Sequence, residues 1–86
     1  MEPYLLEQII QERQKQIKKG FDAKHDDKKS VQDWTETIHN YISWAKQMYE
    51  MNSPDKFRKR MLQAVCIGIA CLECYDRTGP HEFPED

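Results

Sequence analysis

The sequence predicts an all-α protein with a short first helix followed by two long antiparallel helices. Apolar residues recur at spacings of three and four along most of the chain, which is typical of amphipathic helices. Only three Gly and four Pro are present, and most of them lie between the periodic segments. With 86 residues, the chain has room for one hydrophobic core. We therefore expect a single helical domain over residues 1–77 and a flexible C-terminal tail over residues 78–86.

The first helix is predicted from Pro3 to Lys19. Proline is favoured at the first position of a helix, and lysines near the other end suit the negative end of the helix dipole. Gly20 provides a stop. The segment from Phe21 to Lys29 shows no periodicity, so we expect a charged connector there. The apolar residues of the first helix are Leu5, Leu6, Ile9, Ile10 and Ile17.

The second helix has the strongest amphipathic pattern and is predicted from about Val31 to Tyr49. Either Ser30 or Asp33 can cap its N-terminus. Its apolar stripe comprises Val31, Trp34, Ile38, Tyr41, Ile42, Ala45, Met48 and Tyr49.

The third helix is predicted from Pro54 to about Arg77, with Ser53 as its N-cap. The link to the second helix is so short that the two helices must be antiparallel neighbours. The centre of the third helix, residues 64–72, is apolar on all sides, so two of its faces must be covered. The second helix covers one face, and the first helix or another subunit covers the other. Because so small a core is marginal, we expect a homodimer or larger homo-oligomer that shares a helical bundle.

Composition narrows the function classes. The net charge of −2 argues against nucleic-acid binding. No segment approaches the roughly 18 apolar residues that span a membrane. Three cysteines within one apolar run form a poor disulfide framework, so we interpret Cys66, Cys71 and Cys74 as core thiols in a reducing, cytoplasmic compartment.

Three groups of charged residues could form a site. Arg13 shares the apolar side of the first helix, so it must pair with a carboxylate such as Asp26 or Asp27, or bind a ligand. Adjacent carboxylates in a connector are usually solvated, although they can supply oxygens to a metal. Glu73 and Asp76 lie three residues apart on one helical face and could share a cation. A basic cluster opens the third helix, where it could bind phosphate or form a solvated face: Lys56, Arg58, Lys59 and Arg60.

A resemblance to a known family is carried by three segments, Glu12-Arg13-Gln14-Lys15-Gln16-Ile17, Gly20-Phe21 and His25-Asp26-Asp27. They resemble the E-R-x-x-Q-I, G-W and E-H-D-D pattern of small phage and prophage proteins related to the MazG-like all-α nucleotide pyrophosphohydrolases. Weaker similarity follows at Trp34, at Arg60-Met61-Leu62-Gln63-Ala64-Val65 and at Cys71-Leu72-Glu73.

Enzymes of that family hold Mg²⁺ through acids in E-E-x-x-E and E-x-x-D motifs on two helices. The corresponding stretches here are Asn40-Tyr41-Ile42-Ser43-Trp44 and Arg60-Met61-Leu62-Gln63, and neither contains an acid. The resemblance therefore implies a helical nucleotide pocket without catalytic residues or cofactor.

The expected function is non-catalytic binding of a nucleotide or nucleotide-derived signal, which the protein would sequester. The expected location is the cytoplasm, which is the host cytoplasm if a phage encodes the protein. Cations would contact the phosphates, and aromatic rings would stack on the base. The expected ligand-binding residues are Arg13, Lys24, His25, Lys56, Arg58 and Arg60 for the phosphates, and Trp34, Tyr41 and Trp44 for the base.

Two other functions stay open. A Mg²⁺-dependent nucleoside triphosphate pyrophosphohydrolase would use Asp26, Asp27, Glu73 and Asp76 in an altered arrangement. A protein-interaction module would instead use the apolar third helix and Phe83 in the tail.

Overall fold

The structure is a computed structural model that describes residues 1–78. Its helices are α1 (Pro3–Lys18), α2 (Ala23–Asp26), α3 (Val31–Glu50) and α4 (Pro54–Thr78). The all-α prediction is confirmed, and residues 1–78 contain no strand. The predicted count of three helices is wrong by one, because α2 forms inside the segment expected to be a connector. The predicted tail lies outside the described residues, apart from Thr78, which is instead the last residue of α4.

Local capping fixes where α3 begins. The Ser30 hydroxyl accepts a hydrogen bond from the backbone N–H of Asp33 at 3.1 Å. In return, the Asp33 carboxylate accepts one from the backbone N–H of Ser30 at 2.9 Å. This reciprocal pair is a capping box, which satisfies two donors that a helix start would otherwise leave unpaired. The two residues that the sequence offered as alternative caps therefore act together.

The helices α3 and α4 pack as the antiparallel pair that the sequence predicts. Near their connecting turn, the rings of Tyr49 and Phe57 meet edge to face, with 5.6 Å between centroids. At the far end, the buried Trp34 of α3 packs against Ala70 and Cys74 of α4. Small residues on α4 allow this approach, because they leave room for the large indole ring.

The helix α1 packs on another face of α4. Ile9 is buried there, and the Cys66 thiol donates a long hydrogen bond of 3.6 Å to the Ile9 carbonyl. Arg58 donates to the Gln8 side-chain oxygen at 2.8 Å. Within the described residues α1 and α3 both pack on α4, and their backbones do not approach each other closely, so a cleft remains between them.

Two of the three cysteines lie in the core. Cys66 and Cys74 are buried, Cys71 is partly buried, and all three thiols are free. Burial raises the pKa of Cys66 to about 11, so this thiol stays protonated at neutral pH. The interpretation of Cys66 and Cys74 as core thiols is confirmed.

One face of α4 keeps exposed apolar residues. Val65 is 45% exposed and Leu72 is 65% exposed. On α1, Leu6 and Ile10 are about half exposed. The sequence predicted that two faces of α4 are covered, and α3 and α1 cover them, but the third face of α4, with Val65 and Leu72, is left open.

None of the helices described is long and apolar enough to cross a membrane.

Candidate functional site

A cleft opens between α1 and α3, and α4 forms its floor through Ile67 and Ala70. Its cavity volume is about 70 Å³, and about 400 Å³ when the open space at its mouth is included. All four helices and the two loops that flank α2 contribute residues to the cleft. The complete fold is therefore needed to form it. The remaining lining residues are Arg13, Gln16, Phe21, Asp26, Lys29, Trp34, Thr37 and Tyr41.

Arg13 forms one wall of the cleft. Its side chain is only 15% exposed. One guanidinium nitrogen donates to the Gln16 side-chain oxygen at 3.2 Å, and another donates to a Glu73 carboxylate oxygen at 3.3 Å. The acidic partner is therefore Glu73 of α4, not Asp26 or Asp27. A guanidinium has five N–H donors, so these two bonds leave others for a ligand.

Asp26 lies deeper in the cleft. The sequence suggested a solvated carboxylate, which is wrong for Asp26, because this residue is only 3% exposed. The Asp22 carboxylate caps α2 by accepting from the backbone N–H of His25 at 3.0 Å. The Cys74 thiol donates to the Asp26 carbonyl at 3.4 Å and so attaches α2 to α4. On the side chain, Asp26 Oδ1 lies 3.2 Å from His25 Nδ1.

Lys29 supplies a second cation that sequence reasoning missed. Its Nζ atom lies 4.4 Å from the centroid of the Trp34 ring, within the range of a cation–π interaction. Lys29 falls in the segment without periodicity, so spacing gave no sign of its position. Its closeness to an aromatic residue in sequence was the one available signal.

Of the nine residues that the sequence proposed for a ligand, three line the cleft: Arg13, Trp34 and Tyr41. Trp44 lies just beyond it, with its ring centroid 5.9 Å from that of Tyr41. Lys24 and His25 are on the exposed side of α2. The structure therefore brings together only part of the predicted site.

The basic cluster at the start of α4 does not reach the cleft. Lys56 is exposed, and Arg58 lines a separate open groove between α1 and α4. Arg60 turns toward Trp44, and its Nη1 donates to the Gln63 side-chain oxygen at 2.9 Å. The Nε atom of Arg60 is buried and has no hydrogen-bond partner among residues 1–78.

The hydrolase alternative would use the acids Asp26, Asp27, Glu73 and Asp76, and the three besides Asp26 do not line the cleft. Asp27 accepts two hydrogen bonds from Arg77, at 2.8 and 3.1 Å; these lower the pKa of Asp27. Glu73 pairs with Arg13, and Asp76 is exposed. No group of three or more His, Cys, Asp or Glu side chains in the described part of the chain is placed to hold a metal ion.

Several of the residues that carry the family resemblance lie together in space. Arg13, Gln16, Phe21 and Asp26 line the same cleft. Their neighbour Glu12 is a buried acid that sequence reasoning also missed. Its position three residues after the buried Ile9 was a signal, because residues three apart share a helical face.

Comparisons with protein-family models, curated proteins and solved structures find no match to this chain. The relationship to MazG-like proteins therefore stays a prediction.

The cleft combines three chemical features. Aromatic rings can pack against a planar group, two cations favour an anion, and one carboxylate accepts N–H donors. Arg13 and Lys29 are cations and Asp26 is the acid of the described lining, and Glu73 beside the lining pairs with Arg13. Such a lining suits a ligand that is aromatic at one end and anionic at the other.

Proposed function

We propose that this protein binds a nucleotide or nucleotide-derived signal in the cleft and does not hydrolyse it. The observation that carries the proposal is the convergence of Arg13, Lys29 and Tyr41 on one concave site beside the buried Trp34. In this proposal the protein is a small, phage-type relative of the MazG-like enzymes that sequesters its ligand in the cytoplasm.

The aromatic residues have different roles in this proposal. Trp34 is only 5% exposed, so it builds the wall and holds Lys29 against its ring. Tyr41 is partly buried, so part of its side chain stays accessible to a base. Arg13 and Lys29 then contact the phosphates at the mouth. The ligand thus replaces water at the ring and keeps its charged end near solvent.

The proposal of binding without turnover rests on the carboxylates. Hydrolysis in the resembled family needs several acids around Mg²⁺. The described lining contains only Asp26, and Asp27 and Glu73 each pair with an arginine. The site therefore lacks the grouped oxygens that would position a metal against the phosphates.

Isothermal titration with a panel of linear and cyclic nucleotides tests the binding proposal. We expect at least one of them to bind with a Kd in the micromolar range, and no binding tighter than millimolar would contradict it. A parallel incubation of nucleoside triphosphates with Mg²⁺ tests turnover. Pyrophosphate release that a chelator abolishes would support the hydrolase alternative instead.

We further propose that copies of the chain associate through their exposed apolar strip. Val65 and Leu72 on α4 supply it, and covering such residues stabilises a small core. Light scattering at micromolar concentration should show a dimer or larger species, and Leu72→Glu should shift it toward the monomer. A monomeric wild-type chain would favour the alternative in which this strip binds another protein.

A further inference from the structure

Asp26 is a feature of the described cleft lining that phosphate binding does not explain. A buried carboxylate repels phosphate, so it would weaken a site that only held anions. Its position is nevertheless well fixed, since α2 is capped by Asp22 and attached to α4 through Cys74. His25 contacts only one of the carboxylate oxygens, Oδ1. This placement suits a carboxylate that meets the ligand at its uncharged, aromatic end.

An ionised carboxylate only accepts hydrogen bonds, and its two oxygens favour a partner with two adjacent donors. The Watson–Crick edge of guanine offers such a pair, its N1–H and its 2-amino group. Adenine and cytosine place a ring nitrogen acceptor beside their amino group, and this lone pair would repel the second oxygen. Uracil has one N–H between two carbonyl acceptors.

We infer that the cleft selects a guanine base, with the Asp26 carboxylate accepting hydrogen bonds from N1–H and the 2-amino group. This inference rests on the proposed nucleotide-binding function and deepens it. Tyr41 and Phe21 line the same space as Asp26, so a base held by its edge has aromatic neighbours. Arg13 and Lys29 then meet the phosphate end. A site built to pair with donors rejects bases that lack them, because its buried acceptor is left unpaired.

The first test changes the ligand and leaves the protein intact. GMP, IMP and AMP are titrated into the wild-type chain by calorimetry. IMP lacks only the 2-amino group, so the loss of one hydrogen bond to a charged acceptor should weaken binding about 10-fold or more. AMP should bind more weakly still. Equal affinity for GMP and IMP, or for GMP and AMP, would overturn the inference.

The second test changes the acid. Asp26→Asn should bring the ratio of the AMP and GMP dissociation constants close to one, since an amide offers both a donor and an acceptor. Asp27→Asn is the matched control, because Asp27 pairs with Arg77 outside the cleft; it should leave that ratio unchanged. An unchanged ratio in folded Asp26→Asn, verified by circular dichroism, would refute the role of Asp26. The GMP and IMP comparison decides the inference if that variant fails to fold.

The outcomes separate this inference from the function on which it rests. If adenine, cytosine or uracil nucleotides bind as tightly as GMP, the guanine inference fails and the binding proposal stands. If no nucleotide of any kind binds, both fail.

Discussion

The guanidinium carbon of Arg60 lies 3.6 Å from the centroid of the Trp44 ring. The sequence suggested that both side chains contact a ligand, with the cation on a phosphate and the ring on a base. In the structure each contacts the other, because the guanidinium packs against one face of the ring. The contact joins α3 to α4 and has a structural role.

Because Arg13 lies in the cleft and Arg60 packs on Trp44, substitutions at these two arginines should affect nucleotide binding differently. Arg13→Gln should weaken nucleotide binding about 10- to 100-fold, because it removes a charged hydrogen-bond donor from the cleft wall. Arg60→Gln is the matched variant and should leave the affinity within about threefold. Calorimetric titration of both variants measures the difference. A larger loss for Arg60→Gln than for Arg13→Gln would place the ligand against Trp44 instead of in the cleft.

Replacing Gly68 with alanine should increase the stability of the protein. It lies in the middle of α4, and a Cβ atom added there would have no atom within 4 Å outside its own helix backbone. Gly68→Ala should therefore stabilise the protein by about 1 kcal/mol, since alanine has the higher helix propensity. Gly20→Ala adds the same methyl group where φ is 101° and should destabilise. Urea unfolding of both variants checks the opposite signs, and a loss of stability in Gly68→Ala would contradict the open space.

The capping box at Ser30 should carry a measurable part of the stability of α3. Ser30→Ala removes the side-chain acceptor for the Asp33 N–H and should cost about 1 kcal/mol in the free energy of unfolding. Gln47→Ala, at an exposed position of the same helix, should change it by less than about 0.5 kcal/mol. Thermal or urea unfolding distinguishes the two, and equal effects would show that the cap contributes nothing.

The pair formed by Asp27 and Arg77 should make stability depend on pH. Hydrogen bonds from Arg77 lower the pKa of Asp27 from 3.8. A lowered folded-state pKa contributes stability above the unfolded value, and this is lost as the pH falls through the folded value. Arg77→Gln should therefore be less stable than wild type at pH 6 and nearly equal to it well below pH 3.8.

Urea midpoints at the two pH values measure that convergence. Arg58→Gln is the control, because its partner Gln8 does not titrate; its difference from wild type should persist at both pH values. A gap between Arg77→Gln and wild type that is the same at low pH would contradict the assigned pair.

The parts of the fold that depend on local signals were predictable. Pro3, Ser30 and Pro54 mark the starts of the three long helices. Such helix-start signals depend on residues that are close together in the sequence. The helix α2 was missed because four residues are too few to show a period. It forms through the Asp22 cap and through Cys74, which is 48 positions away from Asp26.

The site was predictable only in part, for a related reason. Arg13 stood out because a cation on an apolar helical face needs a partner, but that partner, Glu73, is 60 residues away. The burial of Asp26 and the approach of Lys29 to Trp34 depend on how α4 positions the connector. Side chains brought together by packing across the chain leave no mark in sequence spacing.

The two buried thiols, Cys66 and Cys74, offer a way to measure local opening of the helices that pack on α4. Cys66 bonds to the main chain of α1, whereas Cys74 bonds to the main chain of α2. An alkylating reagent reaches Cys66 when α1 moves off α4, and it reaches Cys74 when α2 or the covering Trp34 of α3 moves away. The rates at these two buried thiols, measured apart from that of the partly buried Cys71, would report two separate opening events. A ligand that bridges α1 and α2 across the cleft would slow both.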